Sequence, residues 1–265
     1  MPENNNYIWA KSLGGSKDDF TNSLSADSAG NVYITGSFDS TDFDPGTGKN
    51  LPNRGRSDVF VAKLNSDGNP IWAKSLGGSK DDFTNSISAD SAGNVYITGS
   101  FDSTDFDPGT GKNLPNRGRS DVFVAKLNSD GNPIWAKSLG GSKDDFTNSI
   151  SADSAGNVYI TGSFDSIDFD PGTGTNLPNR GRSDIFVVKL NSDGNPIWAK
   201  SLGGSKDDFT NSISADSAGN VYITGSFDST DFDPGIQAQT CPIKAVVMSS
   251  LSNSITTATQ FGPRV

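Results

Sequence analysis

Residues 83–145 read FTNSISADSAGNVYITGSFDSTDFDPGTGKNLPNRGRSDVFVAKLNSDGNPIWAKSLGGSKDD, and nearly all of the remaining sequence copies this stretch. The chain has four tryptophans, which recur every 63 residues at Trp9, Trp72, Trp135 and Trp198. A fixed period of this size is typical of repeat architectures, in which each unit buries its apolar faces against its neighbours. The repeat therefore predicts a fold, while no set of residues within it names a ligand or a reaction.

Short apolar runs bounded by Gly, Asn, Asp and Ser predict four β-strands per repeat, at residues 83–90, 95–101, 121–127 and 134–139. The third strand, DVFVAKL, is apolar on both faces, so it must be covered on both sides. Four-stranded antiparallel sheets packed face to face around an axis meet this requirement, and the sequence thus predicts an all-β propeller. A two-layer sandwich would also bury such strands, but it gives no reason for repeating one four-stranded unit.

Several segments of the repeat resemble a known family. WAKSLGG, SADSAGNVYITGSF, the FDPG loop and SDVFVAKLNSDGN are similar to bacterial β-propeller repeats of the SBBP type. The resemblance covers each unit from end to end and continues through Gly235. It implies a propeller blade per repeat and a secreted or surface protein, and it implies almost nothing about activity.

The repeats predict one propeller domain over residues 1–235, followed by a divergent tail over residues 236–265. Codons can be chosen for the tail so that a one-base shift restores the repeat sequence, which suggests a frameshift in the gene. Cys241, the single cysteine, then has no disulfide or catalytic role. The tail segment 244–251, KAVVMSSL, is apolar enough to replace a missing third strand, although Pro242 and the serines argue against this.

The chain enters the repeat at its fourth strand and supplies only two repeat strands for the last blade. We expect residues 7–13 to close that last blade, because propellers protect their exposed edges by joining their ends. Two assemblies fit this expectation: a four-bladed ring of one chain with the tail filling the gap, and an eight-bladed ring of two chains.

Composition narrows the choice of partners. The net charge of −10 argues against nucleic acid and anionic membranes, which require clustered Lys and Arg. We find no apolar leader and no membrane-spanning run, whereas the family resemblance implies export, so the localisation stays open. A glycan or a protein is the expected ligand.

The repeated motif DSTDFDPG places three carboxylates within six residues on a Gly/Pro loop, a pattern that can supply the oxygen ligands of Ca²⁺. The alternative is that these aspartates form Asx turns while the motif's phenylalanine anchors the loop on the blade. We expect no other cofactor. The candidate metal ligands are Asp39, Asp42, Asp44, Asp102, Asp105, Asp107, Asp165, Asp168 and Asp170.

Two other features have competing interpretations. The tryptophans would suit stacking on sugars, but their position within a strand favours packing between blades. The segment Ser79-Lys80-Asp81-Asp82 would suit a ligand-facing loop, but a solvated charge cluster is the simpler interpretation.

We predict no enzymatic activity. The chain has no histidine, and each acidic residue recurs in every repeat, whereas catalysis normally needs an asymmetric site. The sequence favours a binding or scaffold module that presents the same loops several times. The alternatives are a carboxylate-dependent hydrolase in the central channel, using residues such as Asp81 or Asp90, and a gene fragment without independent function.

Overall fold

The computed structural model describes residues 9–235 and 243–250. Within these residues the chain forms four sheets, which we number 1 to 4 in chain order. Sheet 1 contains β1 (Asp19–Ala26), β2 (Val32–Phe38), β3 (Asp58–Leu64) and β4 (Pro70–Leu76); sheet 2 contains β5 (Asp82–Ala89), β6 (Val95–Phe101), β7 (Asp121–Leu127) and β8 (Pro133–Leu139). Sheet 3 contains β9 (Asp145–Ala152), β10 (Val158–Phe164), β11 (Asp184–Leu190) and β12 (Pro196–Leu202); sheet 4 contains β13 (Asp208–Ala215), β14 (Val221–Phe227) and β15 (Ile243–Ser250).

Sheets 1 to 3 are antiparallel meanders in which each strand pairs with the next strand along the chain. The predicted strand bounds agree with the observed ones to within one residue. The third strands are buried over nearly their whole length, as the two-faced apolar pattern required.

Each sheet packs on the next one, and we call each such contact a junction. The inner strand of one sheet (β5, β9 or β13) lies on the first three strands of the preceding sheet. Each of the three junctions contains an apolar cluster, with Ile87, Ile150 and Ile213 at the same position of successive repeats. Packing on both faces explains why the third strands need no polar side.

Serine hydroxyls satisfy the inner strand's free backbone groups at each junction. Ser23 and Ser25 Oγ accept hydrogen bonds from the N–H groups of Ile87 and Ala89, at 3.3 and 3.1 Å. The same pairs recur at the next two junctions, with Ser86 and Ser88 and then Ser149 and Ser151 as acceptors. This ladder protects an edge that would otherwise be open to pairing with another strand.

The described residues do not show the predicted closure by residues 7–13, which stays a prediction. The third strand of sheet 4 is the tail strand β15, which pairs with β14 in parallel. The unpaired edge of β14 is the nearest template for the apolar tail segment, and this explains the pairing in spite of the adjacent serines. The described part of the N-terminal segment contacts sheet 1, where Trp9 Nε1 donates to Ser66 O at 2.9 Å. Residues 1–8, Pro242 and Cys241 lie outside the described residues.

Candidate binding surface

Two long connections of each repeat emerge at the same end of the sheets, which we call the loop end. In sheet 2 these are residues 102–120, between β6 and β7, and residues 140–144, which lead into sheet 3. The opposite end carries only the tight turns after β5 and β7. The loop end is therefore the surface on which residues can vary in conformation without disturbing a strand.

The aspartates of the DSTDFDPG motif are held by hydrogen bonds within the loops. Asp105 Oδ1 accepts hydrogen bonds from the backbone N–H and the hydroxyl of Ser79, both at 2.8 Å, and these bonds lower the pKa of Asp105. Asp107 Oδ1 accepts the N–H of Gly109 at 2.8 Å, and the N–H of Asp102 donates to Asp81 O at 2.9 Å. The loop therefore uses these residues to fix its own shape.

The structure does not gather the candidate metal ligands into one cluster. Among the described residues, no three His, Cys, Asp or Glu side chains lie close enough together to hold a metal ion. Calcium binding at these aspartates stays a prediction. The equivalent contacts recur in the other repeats: Asp42 and Asp168 accept from Ser16 and Ser142, Asp44 and Asp170 accept from Gly46 and Gly172, and Asp39 and Asp165 donate to Asp18 and Asp144.

The phenylalanine of the motif anchors the loop. Phe106 is fully buried, with its ring centroid 4.8 Å from that of Phe101 and 4.9 Å from that of Phe123. The interpretation of this phenylalanine as an anchor on the sheet is thus confirmed, and the anchored loop has a defined exposed surface.

The segment Ser79-Lys80-Asp81-Asp82 is only partly the solvated charge cluster that the sequence suggests. Ser79 and Lys80 are exposed, and Asp81 is half-buried in an ion pair, at 3.5 Å, with Arg56 of the loop between β2 and β3. Asp82, however, is completely buried. It is the first residue of β5, where the inner strand meets the preceding sheet.

A pair of buried carboxyl groups lies at each junction, and no pattern in the sequence predicts it. At the first junction Asp82 Oδ2 accepts hydrogen bonds from Gly78 N and Ser103 Oγ, both at 2.8 Å, and the negative charge of Asp58 acts on Asp82. Burial raises the pKa of Asp58 to about 6 and that of Asp82 to about 7, against the hydrogen bonds that lower both. Asp58 Oδ1 is buried and accepts no hydrogen bond from the described residues.

The same arrangement recurs at the next junction, where burial raises the pKa of Asp121 to about 6 and that of Asp145 to about 7. A side chain added at Gly77 would collide with the Asp58 carboxyl group, which explains the tight glycine crossing between sheets. Because both carboxyl groups are inaccessible to solvent, we interpret them as a structural pair.

The tryptophans link successive sheets. Trp72 Nε1 donates to Ser129 O of the next repeat at 2.9 Å, and its ring lies 6.4 Å from the ring of Tyr33. Lys63 Nζ lies 5.1 Å above the Tyr33 ring and also donates to Ser129 O at 3.4 Å. The interpretation of the tryptophans as contacts between blades is confirmed at these positions.

The two aspartates named for a hydrolase lie at opposite ends of one strand. Asp81 precedes β5 at the loop end, and Asp90 follows β5 at the turn end. The Asp90 carboxylate accepts hydrogen bonds from Ala92 N, Asn94 and Tyr96, which shape its turn. The structure therefore does not bring these two carboxylates together.

A row of exposed phenylalanines marks the loop end of the inner strands, and the sequence interpretation missed it. The exposed fractions are 46% for Phe83 and 48% for Phe146, although both belong to internal sheets. We call the set of equivalent residues, Phe20, Phe83, Phe146 and Phe209, the phenylalanine row; all four are exposed. Simple alternation puts Phe83 on the same face as buried Ile87, but a β-bulge between Thr84 and Ser86 shifts the register between them.

The β-bulge depends on a glycine in the neighbouring strand. A side chain at Gly99 would collide with Phe83 O and with the Phe123 ring. Gly99 pairs with Thr84 at the start of the shift, so the glycine in VYITGSF was the available sequence signal.

The repeat unit matches a family model over residues 8–44, 71–107, 134–169 and 197–233, which together make up more than half of the chain. The model describes the SBBP β-propeller repeat. The chain belongs to this family. Each SBBP match begins at the outer strand of one sheet, or at Ile8 ahead of sheet 1, and ends in the FDPG loop of the next sheet, so it spans a junction.

Two curated proteins are similar in sequence to part of the chain. The chain is 25% identical over 199 residues to an uncharacterized WD repeat-containing protein of Acanthamoeba polyphaga mimivirus, over 64% of the chain and 14% of that protein. It is 27% identical over 161 residues to the regulatory protein FlaEY of Caulobacter vibrioides, over 60% of the chain and 17% of that protein. The chain thus spans about a sixth of the length of these relatives.

Among solved structures, a protein of unknown function from Bacteroides caccae aligns with 78% of the chain and 53% of its own length, with 9% identity and a TM-score of 0.37. A search of the described part of the chain finds no helix with the length and apolar character needed to cross a membrane.

Proposed function

We propose that this SBBP repeat protein is a non-enzymatic binding module whose contact surface is the phenylalanine row at the loop end. The observation that carries the proposal is the exposure of Phe83 and Phe146 inside the stack of sheets. An exposed aromatic side chain recurring at one position of every repeat marks an interaction site better than scattered exposed residues do.

The period of the row favours a ligand that is itself repetitive. Identical aromatic contacts on successive sheets each bind weakly, but a polymer that reaches several of them at once gains affinity through effective concentration. Aromatic faces suit the apolar faces of sugar rings, and an exposed asparagine such as Asn85 stands two residues further along each inner strand. The net charge of −10 disfavours polyanions. We therefore infer that the ligand is a neutral glycan.

Titration of the chain with cello-oligosaccharides and chito-oligosaccharides of increasing length tests this proposal, with heparin as a polyanionic control. We expect the affinity for one of the neutral series to rise steeply with length once the ligand spans two sheets. The double variant Phe83→Ala and Phe146→Ala should lower that affinity by about tenfold or more. A tenfold loss already corresponds to the free energy of one aromatic contact.

The outer strands supply a matched control. Ile134 and Ile197, each 51% exposed, are repeated apolar residues outside the phenylalanine row. Replacing both with alanine should leave binding unchanged. Binding that survives the phenylalanine substitutions, or that falls equally with the isoleucine substitutions, would remove the row as the contact surface.

A further inference from the structure

The two outermost sheets each expose a face that is buried everywhere else in the molecule. Leu24 of sheet 1 is 68% exposed, whereas Ile87, Ile150 and Ile213 at the same repeat position are each 5% exposed. These three isoleucines lie under the preceding sheet, and sheet 1 has no preceding sheet among the described residues. Sheet 1 therefore presents an unfilled half of a junction.

Sheet 4 presents the other half. Tyr222 is 42% exposed, whereas Tyr33, Tyr96 and Tyr159 are fully buried against the following sheet. The hydroxyl groups of those three tyrosines lie next to Gly93, Gly156 and Gly219 of the next repeat, while the equivalent Gly30 of sheet 1 has no tyrosine beside it. The two unfilled halves thus correspond residue by residue.

The tail strand completes this face of sheet 4. Val247 pairs with Thr224 of β14, and the same threonine position pairs with Val61, Val124 and Val187 in the other sheets. Those three valines are completely buried at junctions, but Val247 is 61% exposed. Although β15 runs in the opposite direction to the third strands that it replaces, it puts a valine where the junction requires one.

We propose that sheet 4 of one copy of this chain packs on sheet 1 of a second copy, in the same geometry as the three internal junctions, and that two copies close a ring of eight sheets. Two copies present two such contacts related by a two-fold axis, which satisfies both faces of both chains. Eight sheets is within the usual range of about four to eight blades in propellers, whereas three copies would require twelve.

The hydrogen bonds expected at the new junction follow from the serine ladder. Ser149 and Ser151 accept the N–H groups of Ile213 and Ala215, at 3.3 and 3.2 Å. Ser212 and Ser214 occupy the same repeat positions in sheet 4 and are exposed. They should accept hydrogen bonds from the N–H groups of Leu24 and Ala26 of the second copy. The new junction would then pair the free backbone N–H groups of β1 as well as bury its apolar face.

The N-terminal segment is already in place for this contact. Trp9 donates to Ser66 O as Trp72 donates to Ser129 O, so residues 9–14 lie where the outer strand of a preceding sheet belongs. In the described residues sheet 4 has no fourth strand. A docked sheet 4 would therefore meet this segment beside β15, and each copy would contribute the outer segment of its neighbour's last sheet.

Native mass spectrometry and light scattering of the 265-residue chain at micromolar concentration test the proposal. We expect a species of twice the chain mass of 27.8 kDa. Leu24→Arg and Tyr222→Arg should each give monomers with an unchanged circular dichroism spectrum, because both side chains are exposed in the single chain. Ile167→Arg, at a loop position that is 72% exposed and outside both faces, should remain dimeric.

Cross-linking then distinguishes contact between copies from closure within one chain. In a Cys241→Ser background, the double variant Leu24→Cys and Val247→Cys should form a disulfide-linked dimer on non-reducing gels. A disulfide within one chain would show a four-sheet ring and overturn the proposal, as would a monomer in native mass spectrometry. Larger head-to-tail species would overturn the two-copy ring.

Discussion

At the scale of single residues, the buried carboxyl pairs make the junctions sensitive to pH. The chain has no histidine, so between about pH 5 and 8 the titration of its side chains is dominated by carboxyl groups with a raised pKa. Burial raises the pKa of Asp58, Asp121 and Asp184 to about 6 and that of Asp82 and Asp145 to about 7. Folding therefore favours the protonated form of these groups.

We predict that the chain loses stability as the pH rises from about 4 to 7. The unfolded pKa of an aspartate is about 3.9, so between the unfolded and the folded value the folded state binds more protons than the unfolded state. The contribution is fully present below about pH 4 and is lost as the pH passes through the folded values. Melting temperatures measured from pH 4 to 8 should fall and then level off.

The variant Asp58→Asn isolates one carboxyl group of the pair. It keeps an oxygen that can accept the N–H of Arg54 and removes the charge that is disfavoured by burial. We expect the pH dependence to become shallower and the stability at pH 8 to rise by on the order of 1 to 3 kcal/mol. Asp67→Asn, at an exposed turn residue, should leave the pH profile unchanged. A profile that keeps its full slope in Asp58→Asn would contradict this account.

At the scale of strands, the sequence was sufficient where the local pattern decides the structure. Alternation and turn residues located the strands of the repeat, and the two-faced apolar strand DVFVAKL required a covering sheet on each side. The exposure of Phe83 could not be predicted in this way, because the β-bulge after Thr84 breaks the alternation. The pair Asp58 and Asp82 was also missed, because its members come from neighbouring sheets and meet only at the junction.

The tail strand β15 shows the limit of pattern analysis at a sheet edge. Its sequence is outside the repeat, and the adjacent Pro242 and serines argued against a strand. The open edge of β14 supplies a row of backbone groups that pair with any apolar extended segment, whatever its direction. Packing buries Val246 and Ile243 in the last apolar cluster, which stabilises the parallel pairing.

We expect truncation after Gly235 to lower the melting temperature, because it removes this strand and uncovers sheet 4. Two neighbouring valines give a matched pair. Val246→Ala removes a buried side chain and should cost about 2 kcal/mol. Val247→Ala removes an exposed one and should cost less than about 0.5 kcal/mol in dilute solution, where the chain is a monomer. Unchanged stability on truncation would show that the tail is not part of the sheet.

At the scale of the whole molecule, stability is close to a sum over sheets and junctions. Among residues 9–235 and 243–250 the main contacts of each sheet are with its neighbours along the chain, so the contributions are those of a one-dimensional array. The 63-residue period predicted this arrangement because every repeat carries both halves of a junction. How the array closes could not be predicted, because closure depends on the two end faces, which the repeat does not distinguish.

Substitutions at the same position of different repeats show which sheet faces are covered by a neighbouring sheet. We expect Ile150→Ala to cost roughly 2–5 kcal/mol, because the side chain is buried under sheet 2. Leu24→Ala at the same repeat position should cost less than about 0.5 kcal/mol in chemical denaturation at concentrations low enough to keep the chain monomeric. At higher concentration the Leu24 variant should lose the concentration dependence of the wild-type melting temperature, because mass action stabilises only a chain that associates. Equal costs at both positions in the dilute monomer would mean that sheet 1 is covered within its own chain.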